Sequence, residues 1–466
     1  MRGLLAGAAL LPLALSACTM GPDYHLPETS VAAAPGAARP FSAAEDGVAI
    51  NAPLPDKWWQ LYNDPRLDAL VEQALAANAD LRVADANLRR AAAVVKQAEA
   101  GKLLQTTTSG GIDLSRASAT GYSLPGILGY DAGVSASLPL DLSGKIRRGI
   151  EAARADEEVA KAARDDVRVT VAAAMARAYA GVCAANFSLA TNRRVVELQR
   201  QTVDVTRRLQ HGGRGTAFDV TRAQAAVEQS AAALPAFEAQ RQANLFLIAT
   251  LLGKVPADYP ADVADCAAIP RLSTPLPVGD GAALIRRRPD IRAAERLMAA
   301  DTALVGVAMA DLYPQVSLGG SLGIGGAFKD FGGGDSIGFS LGPLISWSFP
   351  NRPVVKAKIE AANAQVDADL ASFDAAVLGA LRETETALNA YARNREETDA
   401  LTRARDSAAK ATEQAGKLFR FGRSDFLSLL DTQRSLASAE ATLASSQVQL
   451  INDQIDIFLA LGGGWQ

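Results

Sequence analysis

Few side chains in this sequence could do covalent chemistry. Of 466 residues, two are histidine (His25 and His211) and three are cysteine (Cys18, Cys183 and Cys266). None of them falls at metal-ligand spacing. Gly319-Gly-Ser-Leu-Gly323 fits the G-x-S-x-G pattern of a hydrolase nucleophile. That chemistry needs a histidine base, and no histidine follows Ser321 in the chain. No phosphate-binding glycine loop ending in Gly-Lys-Ser or Gly-Lys-Thr occurs either. An enzyme is therefore not expected, and neither a metal nor a cofactor.

One cysteine does sit in a reactive context. Arg2 opens a short apolar run, Leu4 to Leu15, that ends in Leu15-Ser16-Ala17-Cys18. The run is too short to span a bilayer, and small residues just before a cysteine resemble a bacterial lipobox. This predicts a signal peptide over 1–17 and a lipid on Cys18. One acyl anchor holds weakly, so stable residence needs a second membrane contact. No later stretch reads as a transmembrane helix, so any span must be built of strands. Cys183 and Cys266 would then share an oxidising compartment. Either a disulfide or two buried small apolar side chains would satisfy them. The net charge of −4, with no long Lys/Arg cluster, offers no footprint for nucleic acid.

The elements that position these residues follow from an internal repeat. Gly213, Arg214 and Gln224 reappear as Gly422, Arg423 and Gln433, an offset of 209 positions. Ile150-Glu-Ala-Ala153 returns as Ile359-Glu-Ala-Ala362, and Asp80-Leu-Arg82 as Asp290-Ile-Arg292. Each half reads as helix, two strands, very long helix, glycine turn and return helix. The first repeat spans 66–253, with strands near 106–115 and 130–140. Its long helix covers Lys145–Gln210, and its return helix Thr216–Leu252 bends at Pro235. The second repeat spans 281–466, with strands near 316–324 and 337–349 and a tip at Gly422. Residues 18–65 form an N-terminal arm, and the proline-rich 254–280 a linker. Asp64-Pro65 fits a helix start, and Trp58 and Trp59 fit packing anchors.

Four strands cannot close a membrane barrel, because the smallest have about eight and lipid tolerates no open edge. The chain must therefore oligomerise. A proline-free helix of some 66 residues is about 100 Å long and needs partners throughout. The expected fold is mainly α with a β-barrel part, a strand barrel running into a helical cylinder. A non-conducting coiled-coil lipoprotein is the alternative from another class, and the strand hairpins argue against it.

Several motifs also carry a family resemblance. Cys18-Thr-Met-Gly-Pro-Asp-Tyr-His-Leu-Pro27, Trp58-Trp59 with Asp64-Pro65, and Asn78-Ala-Asp-Leu-Arg-Val-Ala84 belong to the set. Arg287-Arg-Pro-Asp-Ile-Arg-Ala-Ala-Glu295 and Leu429-Leu-Asp-Thr-Gln-Arg-Ser-Leu436 complete it. Together they resemble the TolC-like outer membrane efflux family, nearest its NodT-type lipoproteins. The resemblance implies a homotrimer in outer membrane lipid, a twelve-stranded barrel on a twelve-helix periplasmic tunnel, with an equatorial belt from the termini and linker. It also implies a periplasmic adaptor (membrane fusion protein) and an inner-membrane RND-type proton-driven pump. Service to a type I secretion system is the variant within the channel class. By motif, Asp431 and Leu427 fall on the family's periplasmic gate, with Asp219 a matching acidic position in the first half. Gly213, Arg214, Gly422 and Arg423 fall at tips that meet the adaptor; a plain turn with a solvated arginine explains them equally well. Leu104 for Pro314 and Ala79 for Pro289 depart from the repeat, so the first half's turns are expected to differ in detail.

Overall fold

The computed structural model describes residues 19–42, 49–116, 126–266, 268–272, 274–349 and 351–465. The signal peptide, Cys18 and the tip of the first strand loop lie outside these residues. The described chain forms two compact units. Within the described residues, one draws on 19–28, 86–161 and 293–373, the other on 29–85, 162–292 and 374–465.

The first unit holds an antiparallel sheet of β2 (Gln105–Ser115), β3 (Ile127–Leu140), β5 (Gln315–Ala327) and β6 (Ile337–Ser346). The order β2-β3-β5-β6 joins the two repeats' hairpins edge to edge, from Gly129 opposite Ala327 to Leu140 opposite Val316. Strands of 10–14 residues match a tilted membrane span. Phe339 and Leu341 are 84% and 80% exposed on β6, as side chains facing lipid would be. Tyr130 packs against Phe328 and Phe331 at the loop end, and Trp347 against Phe349 at the other, giving aromatics at both margins. Just after the chain leaves β3, Arg148 is almost fully buried. It donates to the Met20 and Gly21 carbonyls and pairs with Asp23 and Glu151, tying the N-terminal arm down.

The second unit is helical, with a small parallel ladder of β1 (Ala49–Ile50) on β4 (Leu276–Pro277) that sequence reading did not anticipate. This ladder fastens the arm to the linker. Helix α1 (Pro65–Ala77) begins as expected: the Asp64 carboxylate accepts from the Arg66 and Leu67 amides. Helix α2 (Ala79–Ala100) starts on Asn78, whose Oδ1 accepts from Asp80 and Leu81. Its counterpart α7 (Pro289–Ala310) starts on a proline after the short helix α6 (Gly281–Arg287), so the first halves of the repeats do differ here. Trp58 stacks on Phe458, and the buried Tyr62 hydroxyl meets Gln454.

The long helices are α3 (Lys145–His211) and α8 (Arg352–Arg420), the return helices α4 (Ala217–Ala231), α5 (Leu234–Leu251) and α9 (Phe426–Ala460). Pro235 ends continuity outright, in the first turn of α5, because it can neither donate to nor fit the preceding turn. One window of α3 is long and apolar enough to pass for a membrane span, contrary to the expectation that none would. Two-thirds of it is buried in protein, which makes it bundle core. Cys183 of α3 and Cys266 of the linker form a disulfide, deciding between the two readings left open. Asn186 adds two hydrogen bonds, to the Ala264 and Cys266 carbonyls.

Candidate functional site

Both helix reversals use one backbone device. Gly213 and Gly422 have φ of 71° and 68°, in the left-handed region that only glycine adopts cheaply. At the first tip the Arg214 amide reaches the Leu209 carbonyl and the Gly213 amide that of Gln210. At the second, Arg423 reaches Leu418 and Gly422 reaches Phe419. Both are Schellman ends, which satisfy carbonyls left over at a helix C-terminus. The Arg214 guanidinium turns across to the second tip, 3.8 Å from where a Gly422 Cβ would stand.

The return helices start differently. Thr216 and Asp219 make a capping box: Thr216 Oγ1 accepts from the Asp219 amide, and the Asp219 carboxylate accepts from the Thr216 amide. The Thr216 hydroxyl also donates to that carboxylate at 2.7 Å. These bonds hold the Asp219 carboxyl below the usual carboxylate range. In the second tip Asp425 caps α9 through the Ser428 amide, and its carboxyl is lowered likewise.

The two acidic positions do not share a register. Counted from the caps, Thr216 matches Asp425, so Asp219 matches Ser428. Asp219 matches Asp431 in residue type alone, and its carboxylate bonds within the cap. The positional counterparts of Leu427 and Asp431 are Phe218 and Arg222. Phe218 is exposed, and the Arg222 guanidinium lies 5.5 Å from its ring centre. Counting from the glycine rather than matching acids would have found this pair in the sequence.

Leu427 and Asp431 lie one turn apart on the exposed face of α9. The opposite face is buried: Phe426 and Leu430 pack with Val196, Val203, Ala223, Ala226 and Val227. Polar bonds fix the rotation of α9. Gln433 donates to Thr202 of α3, and Thr412 of α8 donates to the Thr432 carbonyl. Farther along, Thr398 meets Ser446, and Asn394 meets Asp453. Leu427 and Asp431 are thus presented outward by a helix that cannot easily roll. The other singled-out residue, Ser321, sits mid-strand in β5 with its hydroxyl 2.8 Å from that of Ser340, not on a strand-to-helix turn.

Comparison with known proteins agrees with this architecture. The family model for outer membrane efflux protein matches residues 70–254 and 282–463, leaving out the linker. Nodulation protein T of Rhizobium leguminosarum bv. trifolii is 30% identical over 463 residues, covering 97% of this chain and 96% of that one. The toluene efflux pump outer membrane protein TtgC of Pseudomonas putida is 28% identical, covering 99% and 96%. The outer-membrane channel OprN superposes with a TM-score of 0.87 at 36% identity, over 96% of this chain and 100% of that one. The repeat, the barrel-type sheet, the long helices and these matches agree: the chain belongs to the outer membrane efflux protein family, as an outer-membrane channel component of an efflux system.

Proposed function

We propose that three copies close a twelve-stranded barrel and a twelve-helix periplasmic tunnel, a passive conduit for drugs or other small toxic compounds. A periplasmic adaptor and an inner-membrane RND-type pump would load it, and a lipid on Cys18 would add to the hold of the strands. The observation that carries this reading is the four-stranded sheet, whose two outer edges pair with no other strand among the described residues and whose apolar face is exposed. Such a sheet is tolerable in lipid only when further copies complete the ring.

The gate in this reading is the outward pair Leu427 and Asp431. Three carboxylates brought near one axis repel each other, attract cations and narrow the opening, while Leu427 adds an apolar collar. Arg214 and Arg423 stand at the tips where an adaptor would dock. The test is conductance in planar bilayers. Purified protein should form heat-stable trimers, and Leu427→Ala with Asp431→Ala should raise single-channel conductance. Unchanged conductance would remove the gate assignment, and absence of trimers the conduit itself.

A further inference from the structure

The sheet sorts its residues by face. Rungs such as Thr108–Val134–Leu322–Phe339 and Thr106–Ala136–Gly320–Leu341 are mostly apolar. The rungs between them, Ser109–Gly133–Gly323–Gly338 and Thr107–Ser135–Ser321–Ser340, hold only serine, threonine and glycine. The four strands contain two charged residues, Asp113 and Asp131, and both lie on the hydroxyl face. They occupy successive rungs of that face at the loop end, Asp113 opposite Gly129 and Asp131 opposite Gly111.

The two glycines are what let the carboxylates lie there. A Cβ on Gly129 would come within 2.6 Å of Asp113 Oδ1, and one on Gly111 within 2.8 Å of Asp131 Oδ1. Each side chain leans flat across the neighbouring strand, into space that only glycine leaves. At the loop end, the charges just beyond the strands cancel in sign: Arg116 and Lys329 against Asp330 and Asp335. Residues 117–125 of the first loop include none.

We propose that Asp113 and Asp131 are selectivity-determining residues, a second carboxylate belt in the pore wall that favours cations and holds back anions at the loop end. The inference rests on the trimeric-conduit reading above, in which the apolar face meets lipid and the hydroxyl face lines the lumen. Two carboxylates per subunit, on a strand face that carries no other charge, make the local potential negative. Compounds leaving as cations or neutral species would pass this belt more readily than polyanions.

The test is the zero-current potential of single channels across a KCl gradient. Average salt near 0.1 M keeps the screening length at about 10 Å. Measured in the Asp431→Asn background, which removes the gate carboxylates, the remaining potassium-over-chloride preference reports the sheet. Adding Asp113→Asn and Asp131→Asn should lower that preference at least about twofold. Ser135→Asp, which adds a carboxylate to the same face, should raise it; this arm stands even if the asparagine variants insert poorly. Channels that conduct with a preference unmoved by either change overturn the proposal. Protein that forms no channel with Asp113 and Asp131 intact overturns the conduit reading beneath it, a different failure seen at a different step.

Discussion

The two tips share their backbone and differ in nearly everything else. Both reverse on a left-handed glycine with the same pair of amide-to-carbonyl bonds. Beyond the turn, the first carries Phe218 and Arg222 where the second carries Leu427 and Asp431. The first starts its return helix with a reciprocal capping box and breaks it at Pro235; the second has a simpler cap and runs unbroken for 35 residues. The first hairpin is also closed at its base by the Cys183–Cys266 bond. The position 209 residues beyond Cys183 is Ala392, so the second hairpin has no equivalent. Duplication kept what the chain needs in order to turn, and left the outward faces free to specialise. A cationic and an acidic face on neighbouring hairpins can serve one pore in ways that two identical faces cannot.

The widest separation between the tips should appear in conductance. Leu427→Ala with Asp431→Ala should raise it at least about threefold, whereas Phe218→Ala with Arg222→Ala should change it far less. Equal effects in single-channel recordings would erase the functional distinction. Next comes covalent closure. The bond spans 83 positions, and its loss through Cys183→Ser with Cys266→Ser should cost the oxidised protein about 4.5 kcal/mol of chain-entropy stabilisation. Thermal unfolding with and without reductant measures this, and limited proteolysis should show the linker and first hairpin cut before the second.

A smaller effect should be the same on both sides. Gly213→Ala and Gly422→Ala should each cost about 1 kcal/mol, since no backbone crowds either position and only the left-handed conformation resists a Cβ. Unequal melting shifts would show that Arg214 matters to the second turn. The smallest effect concerns pH. Asp219 and Asp425 have carboxyls lowered in the fold, so the stability they add is present above the ordinary carboxylate range and is lost as pH falls through their folded values. Hydrogen exchange at the Asp219 and Ser428 amides should report that fraying. Asp425→Ser, a cap that does not titrate, should make the second tip insensitive to acid while the first still responds.

Much of this architecture was legible in the sequence because its signals are long. Sixty-odd residues without proline leave only a helix, and α3 ends one residue from its expected boundary, at His211. The strands are legible because Gly133, Ser135 and Ser137 alternate with Val134, Ala136 and Leu138. The ladder of Ala49–Ile50 on Leu276–Pro277 was not legible, because two residues carry no period and their pairing is set by distant packing. The disulfide was equally invisible, since two cysteines in an oxidising compartment fit either fate until their backbones are placed. At the tips, residue type alone sets Asp219 beside Asp431, whereas the capping box gives a carboxylate two residues past a helix start local work. A carboxylate has many uses, and position relative to the turn separates them.

The Cys183–Cys266 bond has a further consequence for the order in which the molecule is made. An exported chain emerges from its N-terminus, so Cys266 appears only after α4 and α5 have passed, and before any of the second repeat. The bond can close at that moment, sealing the first hairpin while residues 281–466 are still to come. Cys18 is the only other thiol in the sequence, and acylation would take it out of competition. One connectivity then remains, and the first half of the wall can be finished as a closed piece against which the second half is laid.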